Sequence, residues 1–231
     1  MQLSYMTWRL KIKMKKTKKI ILVILILIII VLAVLLLYKK FYNKEDKREV
    51  KVIKTISNYG YNLDENETKI YKDEFNNLDE ILSNNSVNYE EYAKSIAKLF
   101  IIDFYTLNNK LSKNDIGGTE FIEPTIKDNF IEQARSTFYR YIEVKTDKRN
   151  QKLPEVSKID DIKLENTTFT IKDITTTTTK KGRRTSTSKG TLVDAYKVTI
   201  SWSYKEDLGY ETDAKMIIIK KDNKLYIVEM D

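Results

Sequence analysis

Between Ile20 and Leu37 the chain reads IILVILILIIIVLAVLLL, in which every residue is Ile, Leu or Val except Ala33. A helix inside a globular domain keeps a polar face, and this run has none. At ~1.5 Å rise per residue it spans roughly 27 Å, close to a hydrocarbon core of ~30 Å. On the insertion scale, about −0.3 to −0.6 kcal/mol per apolar residue, insertion is favoured by several kcal/mol. The run predicts one transmembrane helix over residues 20–38, with the lipid bilayer as the first partner of the chain. A cleaved signal peptide would end at a small-residue site, but Leu37 runs directly into Tyr38-Lys39-Lys40-Phe41-Tyr42. The chain also has no Cys for a lipoprotein anchor. An uncleaved signal anchor is the expectation.

Flanking charge sets the expected orientation. Residues 9–19 hold seven basic groups and no acid, whereas residues 38–48 hold five, offset by Glu45 and Asp46. The positive-inside rule then places residues 1–19 as a basic cytoplasmic tail. Localisation follows: a single-pass protein of the cell membrane with its C-terminal part outside. The span contains no polar residue and no small-xxx-small pattern, so it reads as a tether rather than an ion path or a tight helix pair.

The same charges correct the meaning of the net +8. Ten basic and no acidic groups fall in residues 1–44, which leaves 31 basic and 33 acidic groups for the remainder. The part beyond the membrane is near neutral, and no specific nucleic-acid partner is expected. With no Cys and no His anywhere, a thiolate nucleophile, a Cys/His zinc site and a histidine base are excluded. No cofactor and no metal are expected. Lys outnumbers Arg by 34 to 7, with abundant Asn and Ile; this is the bias of an AT-rich bacterial genome.

Residues 39–62 read as a juxtamembrane spacer, within which 50–57 fit a helix or a strand equally well. An extracytoplasmic domain is expected over 63–231. Three amphipathic helices open it. In the first, Ile70, Tyr71, Phe75, Leu78, Ile81 and Leu82 fall at helical spacing over 67–82. The second starts after Asn88, a good N-cap with Glu91 three residues on, and carries Tyr89, Tyr92, Ala93, Ile96, Ala97, Phe100, Ile101, Phe104 and Tyr105 in one stripe. The third is placed after Pro124 with Thr125 as N-cap, burying Phe130, Ile131, Ala134, Phe138 and Tyr141.

After Pro154 the period changes to two. Residues 162–174 hold two Thr-rich extended pieces, and Tyr196, Val198, Ile200, Trp202 and Tyr204 alternate with polar residues. Strands over 210–219 and 225–230 complete an antiparallel meander. Residues 175–191 (TTTTTKKGRRTSTSKGT) are expected to form a flexible basic loop.

Helices followed by a meander give an α+β class. The helices 89–107 and 126–144 and the meander 195–230, ending in LYIVEM, resemble the cone-shaped fold of nuclear transport factor 2-like proteins, in which a long helix packs on a curved antiparallel sheet. With a short tail and one span ahead of it, the arrangement also resembles the VirB8-type components of bacterial conjugation and secretion machines. The run LFIIDFYTL…KNDIGG (Leu99 to Gly118) is similar to a family of uncharacterised membrane proteins of low-GC Gram-positive bacteria.

The resemblance implies a pocket against the concave sheet, with Phe100, Asp103, Phe104, Tyr105 and Trp202 as its candidate residues. Asp103 between Ile102 and Phe104 would be a base if buried, although helical spacing puts it off the apolar stripe and no His is present to assist. An aromatic core is the competing account of the rings. Asn114-Asp115-Ile116-Gly117-Gly118 lacks the Lys-Ser/Thr of a phosphate loop and reads as a tight turn. Residues 64–75 begin like a calcium loop but place Lys69 and Phe75 where Gly and Glu are required. Lys180, Lys181, Arg183, Arg184 and Lys189 are candidates for contact with an anionic surface, set against a plain solvated loop.

Together these readings favour a non-catalytic membrane-anchored interaction or assembly domain, VirB8-like, whose partners are envelope proteins or a second copy of itself. The alternatives are a ligand-binding or enzymatic cone domain using Asp103 and Tyr105, and adhesion to envelope polymer through residues 180–189.

Overall fold

The computed structural model describes Leu27, residues 30–34, 50–146, 148–178 and 184–231, with backbone alone for 172–178 and 184–189. In chain order the elements are strands β1 (Val52–Ile56) and β2 (Tyr61–Asp64), helices α1 (Lys69–Ser83), α2 (Tyr89–Tyr105) and α3 (Lys127–Ser136), and strands β3 (Val156–Thr178), β4 (Arg184–Tyr204), β5 (Asp213–Lys221) and β6 (Lys224–Met230). The fold is α+β, with one four-stranded antiparallel sheet in the order β3-β4-β5-β6 and a separate β1-β2 hairpin. Residues 1–49 and 50–231 are two separate units. The expected span 20–37 lies outside the described residues apart from Leu27 and residues 30–34, which are helical and exposed. Among the described residues no helix is long and apolar enough to cross a membrane.

Helix α2 is the centre of the second unit. Asn88 caps it by accepting from the N–H groups of Glu90 and Glu91 at 3.1 and 3.3 Å, which satisfies two donors the first turn would otherwise leave unpaired. One face packs on β3, β4 and β6, and the other packs on α1. Burial is therefore wider than one stripe: Leu99 and Ile102 are as enclosed as Ile96 and Phe100. On the α1 side Ser95 donates to Glu74 at 2.7 Å, and Lys98 pairs with the same carboxylate at 3.3 Å.

The inner face of the sheet follows from strand alternation. Val198 and Ile200 on β4 lie beside Met216 and Ala214 on β5, and these four, with Trp202 and Ile218, are buried in one core with the α2 side chains. Asp222 adopts φ 57° in the β5–β6 turn, a conformation that a short Asx side chain tolerates. Beyond β6, the segment Phe121–Glu123 adds a parallel bridge: Ile227 N–H donates to Phe121 O at 2.8 Å, and Glu123 N–H donates to Ile227 O at 3.0 Å.

Several expectations need correction. Within 50–57, where helix and strand fit equally by pattern, Val52–Ile56 form a strand, and 50–62 belong to the folded unit rather than to a spacer, because Tyr61 and Leu63 are buried in its core. The third helix starts at Lys127 and stops at Ser136, not near Val144. Thr125 is not its cap, since both its N–H and its hydroxyl bind the Glu123 carboxylate. The early stop lets the chain turn Tyr139 fully inside, which leaves Tyr141 exposed rather than buried. The two extended pieces at 162–174 are part of one long β3. The β3–β4 ladder continues to Thr178↔Arg184, whereas β4 meets β5 only over Ala195–Ser201. Most of the expected loop 175–191 is therefore a two-stranded ribbon that extends past the sheet.

Candidate functional site

Two glycines account for the local shape of the site. Gly118 sits at φ +70°, and a Cβ there would lie 2.6 Å from the Phe100 ring. A Cβ on Gly117 would lie 2.4 Å from the backbone oxygen of Asp103. Neither position has room for a side chain, so the turn between α2 and α3 presses its backbone directly onto α2. The Gly118 N–H then donates to Asp103 Oδ2 at 2.6 Å. Gly117 N–H donates to the Tyr139 hydroxyl at 3.2 Å, which in turn donates to Phe104 O at 2.6 Å. This ties the turn, α2 and the segment after α3 together.

Under that turn lies a polar cavity of ≈ 340 Å³. Asp64 reaches it from the end of β2, Glu67 from the β2–α1 link, Tyr71 from α1 and Asp103 from α2. Lys110, Asp115 and Glu120 come from the segment after α2. Lys110 is the one cation among these five carboxylates. Its side chain is 4% exposed, and its Nζ contacts Asp103 Oδ1 directly. Glu120 bridges two elements, accepting from Asn62 N–H and from the Tyr71 hydroxyl, each at 3.2 Å. Glu67 accepts from Asn109 Nδ2 at 3.3 Å, while the Oδ1 of that asparagine is buried with no partner. Asp115 folds back to accept from Leu111 N–H at 2.8 Å.

Enclosure perturbs the acids. Burial, reinforced by the Asp103 charge, pushes the Glu67 carboxyl up to about 8, and Lys110 pulls it only part of the way back. Burial raises Glu120 to about 7 against the lowering effect of the Asn62 N–H. Asp64 is raised for the same reason. Burial pushes Lys110 down, but Asp103, with Tyr139 and Glu67, more than reverses this and keeps the ammonium charged. Despite the density of carboxylates, no group of three or more among the described residues is arranged to hold a metal ion.

Comparison with protein-family models, curated proteins and solved structures returns no match. The functional reading rests on the geometry.

The structure separates the residues grouped by sequence. Asp103 lines the polar cavity, whereas Phe100, Phe104, Tyr105 and Trp202 are buried in the aromatic core. The Tyr105 and Trp202 rings lie 4.5 Å apart, and Phe100 stacks on Phe104 at 5.3 Å. The Tyr105 hydroxyl donates to Glu211 at 3.4 Å, so Tyr105 and Asp103 do not converge. Lys180, Lys181 and Arg183 lie outside the described residues, and Arg184 and Lys189 are described as ribbon backbone. Sequence reasoning missed Lys110, Glu67, Glu120 and Tyr139. The one available signal was the Gly117-Gly118 pair, which marks a backbone pressed against something.

Proposed function

We propose that this chain is a single-pass membrane protein that holds residues 50–231 outside the cytoplasm as a non-catalytic interaction or assembly domain. In architecture we read it as VirB8-like, on a nuclear transport factor 2-like frame. The observation that carries the proposal is the pairing of an uninterrupted apolar run, 20–37, with a separate unit that closes its own core. Leu27, Ile30, Val31, Leu32 and Val34 are helical and more than half exposed, which suits lipid-facing side chains. The order of helices before a meander, with α2 packed on the sheet, supports the architectural part. Both oxygens of Asp103 are engaged, by Lys110 and by Gly118 N–H, which favours a structural use of that carboxylate over a free base.

The test uses the full chain with a C-terminal epitope in intact bacterial cells. Protein in the membrane fraction that resists alkaline extraction and loses its epitope to external protease is the expected result. Protection of the epitope until lysis would refute the topology. Crosslinking in cells should then trap either a second copy or an envelope protein; a strictly monomeric, uncrosslinked chain would refute the interaction role.

A second reading, as a ligand-binding domain, has one observation in its favour: Asp103 lines a polar cavity. It predicts that a small organic cation raises the melting temperature of the domain and that Asp64→Asn abolishes the effect. No shift across a panel of amines and guanidines would remove it.

A further inference from the structure

Lys110 differs from every other cation in the described ion pairs. Each of the others keeps at least 26% of its side chain exposed, whereas Lys110 keeps 4%. A buried ion pair carries a large desolvation cost, which its own attraction seldom repays in full. The same two groups could shed both charges by condensing, since a neutral amide with a hydrogen-bond donor at its oxygen is far cheaper to bury. The surroundings have the parts such a condensation needs. Asp103 is fixed by Gly118 N–H at Oδ2, and Gly117 packs so closely that a Cβ there would lie 2.7 Å from Oδ1. A third carboxyl, Glu67, lines the same cavity and interacts electrostatically with both partners.

We propose that Lys110 and Asp103 join in an intramolecular amide bond, with Glu67 moving the protons. Transfer of one proton within the pair gives a neutral amine and a neutral acid without changing the proton count. Nζ then bonds to Cγ, and the negative charge gathers on Oδ2, where Gly118 N–H stabilises it as an oxyanion donor. Glu67, neutral because it is buried beside Asp103, gives its proton to the departing Oδ1 and recovers one from Nζ. One carboxylic acid and one amine yield one amide and one water, and Glu67 ends as it began. The reaction needs no oxidant, metal or second substrate. The holding of all three groups by α2, the β2–α1 link and the segment after α2 replaces the encounter that the free groups would require. The product would lock the segment after α2 onto the helix, underneath the β1–β2 hairpin.

Mass spectrometry of the purified full chain in detergent decides the matter. The expected intact mass is lower by one water than the sequence mass. Trypsin should fail to cut after Lys110 and should release residues 99–113 as one peptide, short of one water, with no backbone fragments between 103 and 110. Lys110→Arg, which keeps the charge but cannot condense, should have its full mass. Glu67→Gln should fold, as judged by circular dichroism, yet also keep its full mass. Full mass in the folded wild-type chain with normal cleavage after Lys110 would overturn the proposal and leave an ordinary ion pair. Loss of water by Glu67→Gln at the wild-type rate would overturn the role given to Glu67.

Discussion

The two faces of α2 solve different problems with neighbouring residues. Phe104 and Tyr105 enter an aromatic cluster with Phe138 and Trp202, where shape decides what fits. Asp103, one position earlier, enters a cavity of charges, where hydrogen-bond accounting decides. The apolar face gains stability by excluding water from rings. The polar face gains it by pairing most of the groups it has desolvated, and burial favours the protonated forms of Glu67 and Glu120. Truncation should therefore hurt the first face, and extra volume or a shift in pH should hurt the second.

The largest effect expected is that of Trp202→Ala. The ring is 1% exposed and faces Tyr105, so its loss should cost ~3–5 kcal/mol, read as a fall in the urea midpoint of residues 50–231. A cost below ~1 kcal/mol would mean that the cluster is not a packed core. Next comes Gly117→Ala, which adds a single methyl group against the Asp103 backbone. We expect a loss of ~1–3 kcal/mol in the same assay, with Lys113→Ala, at an exposed position of the same segment, costing much less. Equal effects of the two would show that the turn is not pressed on the helix.

The acids provide the sharpest contrast. Glu67 and Glu120 are raised from 4.5 to about 8 and about 7, so the folded chain holds these protons more tightly than the unfolded chain does. Their contribution is fully present below pH 4.5 and is lost as the pH rises through those two values. The denaturation midpoint should fall across that window in the wild type and flatten in Glu67→Gln and Glu120→Gln. A midpoint that rises over the same window would show that other groups dominate. Trp202→Ala, although less stable overall, should keep the wild-type slope, because no titrating group leaves the structure.

Why one face was legible and the other was not follows from how each is encoded. The aromatic stripe of α2 repeats at helical spacing, and the alternation Val198-Ile200-Trp202 repeats at strand spacing, so local sequence carries both. The cavity has no period. Asp64, Glu67, Asp103, Lys110 and Glu120 are brought together from four pieces of chain only after α1, α2 and the hairpin have packed. Residues 50–57 fit either element by pattern because the pairing of Val52–Ile56 with Tyr61–Asp64 goes with tertiary burial of Tyr61. The overlong third helix has the same origin. Ile131, Ala134, Phe138 and Tyr141 keep a helical period after the backbone has left the helix, since Glu123 takes Thr125 and the core takes Tyr139.

That last error yields the smallest effects and the cleanest pair. Tyr139 and Tyr141 stand two residues apart, and a helix running to Val144 would bury Tyr141. In the structure Tyr139 is fully buried and its hydroxyl serves Phe104 O and Gly117 N–H, while Tyr141 is 75% exposed. Tyr139→Phe keeps the ring but strands a buried donor and a buried acceptor, at a cost of ~1–3 kcal/mol. Tyr141→Ser removes a solvated ring and should stay within about 0.5 kcal/mol of wild type. Both changes are read as shifts in the same urea midpoint. The reverse order would restore the longer helix and displace the Tyr139 hydroxyl that links Gly117 to α2. The cavity face would then lose the fixed turn on which its arrangement of charges depends.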